Sequence, residues 1–400
     1  MNHMPKRMKF GAFFAPFHSD KINPTLAIER DMELIEWLDK LSYDEAWIGE
    51  HHSGAYECIA SPEVFIATVA ERTRHIRLAT GVSSLSYHHP LVLADRICQL
   101  DHQIRGRLTF GVGPGQLVAD AYMMGINPKD LRRRMNESLT ALVKLLSGET
   151  VTMQTDWFTL NEARCQILPY QANLDMAVAS AISPTGARTA GEHGLGMISV
   201  AASSPEGFKQ LANHWDICED KAAEHGKSVS RRNWRIVTPF HIAETEEQAY
   251  KDLEFGLMDM MRYFKKFGGS AFPEAKSFKE AIEIWTTGGL GAFGVGVVGT
   301  PETMVAHIKK LQEQSGGFET FLALAHNAAD FSATKKSYEL FAREVMPHFQ
   351  SSNDNRGASL DWAAQNADRF MEEYVGGINT AIAQHEQEMA SKHSKVAGNS

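Results

Sequence analysis

The sequence predicts an α/β fold: a (β/α)8 barrel of the TIM type, with insertions and a C-terminal helical extension. Short apolar runs alternate with longer amphipathic stretches, eight such runs can be counted, and 400 residues suit one large barrel. Strand-then-helix units of this length imply parallel strands, because parallel pairing needs a long crossover. One barrel takes roughly 250 residues, and insertions can carry it past 400. By pattern alone an open doubly wound sheet fits as well.

In chain order, KFGAFF (residues 9–14) reads as the first strand, and Asn23-Pro24-Thr25 opens a helix with Leu34, Ile35, Leu38 and Leu41 at helical spacing. EAWIG (45–49) is the second strand and 61–72 the next helix. IRLATGV (76–82) and LTFGV (108–112) follow as strands, separated by a helix over 90–101, with another helix around 134–146. Later strands are read at 176–179, 197–200, 235–242 and 320–325. Residues 156–171 read as an irregular insertion, and 251–299 as a second one whose Gly-rich end from Gly288 suits a mobile lid. Residues 1–350 form the expected barrel domain. Residues 351–400 form a polar tail, helical over 360–389 with a thin apolar stripe and disordered over its last eleven residues.

Net charge is -9, with no run of five or six Lys or Arg, which argues against nucleic-acid binding. Cys58, Cys98, Cys165 and Cys218 form no CxxC pair, so neither a structural zinc site nor a disulfide framework is expected. No metal site is expected from the histidines either. The chain has no run of eighteen apolar residues and no signal-peptide layout, so membrane association is not expected and the cytoplasm is the expected compartment.

Four segments have residues suited to chemistry. Glu50-His51-His52 follows the second strand, at the end of a barrel strand where active sites are built, and an imidazole there can move protons near neutral pH. GVSSLSYHHP (81–90) follows the third strand, with Gly81 to free the backbone and hydroxyls on Ser83, Ser84 and Ser86. GVGPG (111–115) resembles a dinucleotide fingerprint only superficially, because Pro114 prevents a helix from opening there. SAISPTG (180–186) leads into a helix whose free N–H groups suit a phosphate, and Arg132-Arg133-Arg134 is available to pair with it. Each segment also has a plain structural reading as a cap, a polar loop or a solvated face.

Together these segments are similar to the bacterial luciferase-like flavin-dependent monooxygenases, in particular the limonene-monooxygenase-like branch. The resemblance runs from about residue 8 to 350. It is carried by GEHHSGAYECIASPEVFIA (49–67), GVSSLSYHHPLVLADRICQLDHQIRGRLTFGVGPG (81–115), VVGTPETMVAHI (297–308) and HNAADFSATKKSYELFAREVMPHF (326–349). It implies a barrel holding FMN at its C-terminal mouth, with His51 as catalytic residue and Glu50 beside the flavin. Val82 and Ser83 match the segment under the ring, where a cis peptide after residue 81 is common in the family. Gly113 and Gln116 match flavin-lining positions, Val178, Ser180, Ala181 and Ser183 the ring edge and phosphate segment, and Arg133 the phosphate-pairing arginine. Pro114 and Ser180-Ala181 depart from luciferase itself, which argues against light emission.

The implied chemistry is a two-component reaction. A separate flavin reductase supplies reduced FMN, which reacts with O2 to form a C4a-(hydro)peroxide that oxygenates a small apolar ketone, aldehyde or cyclic alkene. His51 would be the base or hydrogen-bond partner, Phe13, Phe14, Trp47 and Tyr87 candidate pocket walls, and the assembly a homodimer. The alternatives are an F420-dependent oxidoreductase of the same fold and a non-catalytic flavin-binding protein.

Overall fold

The computed structural model describes residues 3–15, 17–288, 290 and 293–397. Eight parallel strands form its centre: β1 Lys9–Phe14, β2 Glu45–Ile48, β3 Arg77–Thr80, β4 Leu108–Gly113, β5 Asp175–Ser180, β6 Gly196–Ser199, β7 Trp234–Ile242 and β8 Thr320–Ala325. Each pairs with its neighbour in chain order up to β6, β6 pairs β7, β7 pairs β8, and β8 returns to β1, so the sheet is a closed barrel. Closure rules out the open doubly wound alternative.

Alternation along each strand sorts the core into two layers. Trp47, Ala79, Ala177, Ile198, Val237, Leu322 and Leu324 form a cluster inside the barrel. Phe10, Ala12, Phe14, Ile48, Leu78, Phe110, Val112, Val178 and Ile236 belong to the larger cluster packed against the surrounding helices. Trp47 occupies so much of the interior that a Cβ on residue 111 would lie 2.6 Å from its ring and 2.0 Å from the Thr80 carbonyl oxygen, so only glycine fits there. Toward the strand N-termini, Arg235 is buried between Glu45 and Asp175 and lies over the Trp47 ring, 5.2 Å from its centroid.

The crossover helices Pro24–Lys40, Pro62–Ala70 and Pro90–Gln103 begin with proline where the sequence places them, and Asn23 caps the first by accepting the Thr25 amide. Both insertions are more regular than expected. Thr159–Ala163 pairs antiparallel with Val151–Gln154, so only the end of the first insertion is irregular. The second contains helices Leu257–Gly268 and Phe278–Glu283 and the strand Val297–Gly299, which pairs with β7. Its Leu257, Met260, Met261, Tyr263 and Phe264 pack with Phe17 and Tyr56 into a second apolar cluster, which accounts for the helical order. Of its Gly-rich end, Gly289, Gly291 and Ala292 lie outside the described residues.

The chain divides into two compact units, Met1–Gln350 and Ser351–Ser400. The second unit consists of helices Asp354–Gln365 and Ala367–Ala397. Helix thus replaces the disorder expected from residue 390 onward, as far as Ala397. No described helix is long and apolar enough to cross a membrane.

Candidate active site

The C-terminal ends of the strands surround a cavity of about 310 Å³. Its floor is apolar, made by Phe13, Ala15, Ala179, Val200, Val237 and Leu324. One side is formed by the segment after β2. Glu50, His51 and Glu57 all line the cavity, and the His51 amide donates to the Ile59 carbonyl at 3.0 Å, folding residues 51–59 back on themselves.

Both nitrogens of His51 face carboxylates. Nε2 is 3.1 Å from Glu57 Oε2, and Nδ1 is 3.6 Å from Asp120 Oδ2, which is too long for a hydrogen bond but close enough for strong attraction. Burial works against the imidazolium, but Glu57 and Asp120 outweigh it and push His51 up to about 10. Ser53 Oγ hydrogen-bonds to the other oxygen of Asp120. Burial also opposes the charge on Asp120, yet the contacts with His51 and Ser53 hold its carboxyl below the usual range.

Glu50 has a separate task. Its Oε1 lies 3.0 Å from His52 Nε2 and 2.8 Å from His88 Nε2, and its Oε2 accepts the Ser84 amide at 2.7 Å. Burial raises its proton affinity, but these partners overcome that and pull Glu50 down to about 2. A buried carboxylate therefore fixes the loop after β3. That loop contains a cis peptide between Gly81 and Val82, and its Ser83–Ser84 continue the sheet beside Val112 and Gly113.

On the opposite side, Arg132 and Asn136 of helix Leu131–Leu146 face Ser183, Thr185, Gly186 and Thr189, which start helix Thr185–His193 after β5. Thr189 Oγ1 donates to Asn136 Oδ1 at 3.3 Å. Arg132 has no ion pair or hydrogen bond to any described residue. An unpaired guanidinium, two hydroxyls and a helix N-terminus are the donor set that a phosphate requires.

Of the residues matched to the flavin site from the sequence, Glu50, His51, Val82, Gln116, Ala181 and Ser183 line this cavity. Ser83, Gly113, Arg133, Val178 and Ser180 do not. Arg133 points away, held by Asp130, Glu137 and Asp156, and Arg132 takes the facing position one residue earlier. Arg134 lies over Trp157. Val178 faces the outer helices, so its neighbour Ala179 lines the cavity instead. Ser83 and Ser180 are buried, and neither Oγ has a hydrogen-bond partner among the described residues. Gly113 sits behind Val82, where a Cβ would come within 2.5 Å of Val82 Cγ2. Among the aromatic candidates Phe13 alone reaches the cavity. Phe14 faces outward, Trp47 fills the barrel, and Tyr87 packs against Gly115.

The sequence reading missed Glu57, Asp120, Asn136 and Phe293. Glu57 lies inside the GEHHSGAYE block and was legible there. Asp120 and Phe293 arrive from distant segments with no local signature.

The model of the luciferase-like monooxygenase family matches residues 8–318. Limonene 1,2-monooxygenase from Rhodococcus erythropolis is 46% identical over 374 residues, covering 90% of this chain and 94% of that protein. This chain belongs to the luciferase-like monooxygenase family. A second relative of this monooxygenase, 4-hydroxyprotoasukamycin monooxygenase from Streptomyces nodosus subsp. asukaensis, is 43% identical over 371 residues, covering 90% of the chain and 98% of that protein. The fold is also similar to the oxygenating constituent of 3,6-diketocamphane monooxygenase from Pseudomonas putida, a type II Baeyer–Villiger monooxygenase in complex with FMN. The TM-score is 0.69 at 24% identity, covering 85% of this chain and 98% of that one. The luciferase-like monooxygenase described here is accordingly an oxidoreductase, and its mouth cavity is the candidate active site.

Proposed function

We propose that this enzyme is the oxygenase of a two-component system that uses reduced FMN and O2 to oxygenate a small apolar ketone, aldehyde or cyclic alkene. The observation that carries this reading is the unpaired Arg132 beside Ser183 and Thr185, across an apolar floor from His51. These residues fit FMN: Arg132, Ser183, Thr185 and the start of helix Thr185–His193 would hold the phosphate, and the Val82 loop would support the ring. When bound, reduced FMN supplies the electrons that activate oxygen.

His51, protonated at neutral pH by its two carboxylates, holds a proton at Nε2 against Glu57 and supplies it to negative charge developing in the cavity. It is therefore a donor in this proposal and not a base. Glu50 orients the loop that carries Val82, and Phe13, Val200, Val237, Phe293 and Leu324 keep water from the reacting atoms. An apolar substrate suits that lining, and the limonene and diketocamphane monooxygenases named above give the substrate classes. The oxygenating constituent among the structural relatives supports a separate reductase as partner.

The test is an anaerobic titration with reduced and oxidised FMN, followed by oxygen uptake with a chemically reduced FMN supply and a panel of cyclic alkenes, ketones and aldehydes. Tighter binding of reduced FMN and substrate-dependent product are expected. Failure to bind either form of FMN would overturn the reading.

A further inference from the structure

A second cavity of about 450 Å³, sharing no lining residue with the mouth cavity, lies between the segment that follows β6 and the strand Val297–Gly299 beside β7. The start of helix Pro205–Glu224, helix Pro301–Ser315, Tyr250 and residues 295–298 enclose it. Two of its lining groups have nothing to bond: Ser203 Oγ and His307 Nε2 are both buried, and neither has a hydrogen-bond partner among the described residues. Buried polar atoms are nearly always satisfied, so two orphans in one cavity call for a missing partner. Lys310 stands at the same cavity, its Nζ 5.2 Å from the centre of the Phe208 ring, and forms no ion pair with any described carboxylate.

We propose that this second cavity binds a small monocarboxylic acid with an apolar body. The ammonium of Lys310 supplies one positive charge on a flexible stem, which suits a monoanion. No arginine fork lines the cavity to hold a phosphate dianion. Ser203 and His307 offer hydrogen bonds to the carboxylate oxygens, while Phe208, Tyr250 and Val298 provide an apolar wall for the rest of the molecule. Burial, with Lys310 adding to it, lowers His307 to about 4, so the ring is neutral at physiological pH and contributes hydrogen bonding without charge. The site is separate from the mouth cavity but adjoins it along the chain: Phe293 lines the first, and residues 295–298 line the second. An acid bound there would contact the strand that begins a few residues after Phe293 of the mouth cavity.

The experiment is calorimetric titration of the full-length protein with hexanoate, and with hexanol as the uncharged probe. It is repeated on Lys310→Met and Arg132→Ala, both exposed positions whose replacement spares the core. One hexanoate per chain is expected, with hexanol binding at least tenfold more weakly. Lys310→Met should weaken hexanoate by about tenfold, the loss of one charge-assisted hydrogen bond, and Arg132→Ala should leave it unchanged. Hexanoate binding that Arg132→Ala weakens belongs to the mouth cavity and overturns the proposal. So does binding insensitive to Lys310→Met, hexanol binding as tight as hexanoate, or no saturable binding up to about 10 mM.

Discussion

His51 sits between two acids and Arg132 has none, and this asymmetry governs what each residue does. The folded-state value of His51, about 10, lies above its ordinary 6.5. The stabilisation from its bound proton is therefore complete below about pH 6.5 and is lost as pH rises through about 10. Activity that needs the imidazolium should show an alkaline limb at high pH. Glu57→Gln or Asp120→Asn should move that limb toward neutrality by a unit or more, measured as the pH dependence of kcat/KM, whereas a limb that stays put would detach His51 from it. Arg132→Ala should weaken FMN binding by about 10–100-fold, the loss of a charge-assisted contact, and change riboflavin binding by less than about twofold. Arg133→Ala should leave both unchanged, since its guanidinium is committed to Asp156 and Glu137. Equal weakening of FMN and riboflavin by Arg132→Ala would place the phosphate elsewhere.

Among the elements, the loop after β3 matters most, because it reaches the cavity through Val82 while its anchor, Glu50, comes from the segment after β2. The anchor is a carboxylate held near 2, so its contribution is present above about pH 4.5 and lost as pH falls through about 2. Behind the loop, Gly113 leaves no room for a side chain. Gly113→Ala would drive a methyl group into Val82 and cost about 1–3 kcal/mol of overpacking. A lowered Tm together with FMN affinity reduced several-fold is the expected outcome, measured by thermal melt and fluorescence quenching. Unchanged FMN affinity would mean that Val82 does not support the ring.

Across the whole molecule, Arg235 ties β7 to β2 and β5 through the buried Glu45 and the partly exposed Asp175. Arg235→Met would leave Glu45 as a buried, uncompensated charge and should cost about 3–5 kcal/mol in denaturant unfolding. The double variant Arg235→Met with Glu45→Gln should recover much of that loss, because a neutral pair carries no unpaired charge. No recovery would show that packing of the guanidinium on Trp47, and not charge, is what the barrel needs.

The eight strands, most crossover helices and the placement of Glu50 and His51 at a strand end were legible in the sequence, because period and capping are local properties. The direction each residue faces was not. A shift of one position along a strand or helix turns a side chain to another face, which is why Val178 gave way to Ala179 and Arg133 to Arg132. Helical order in the second insertion also escaped the sequence, since Met260, Met261 and Phe264 are stabilised by Phe17 and Tyr56 from far along the chain. Local chemistry thus determined the barrel and the residue types at its mouth. Closure of the ring decided which of them meet, bringing Asp120 to His51 across 69 positions of sequence and leaving Arg132 without a partner among the described residues.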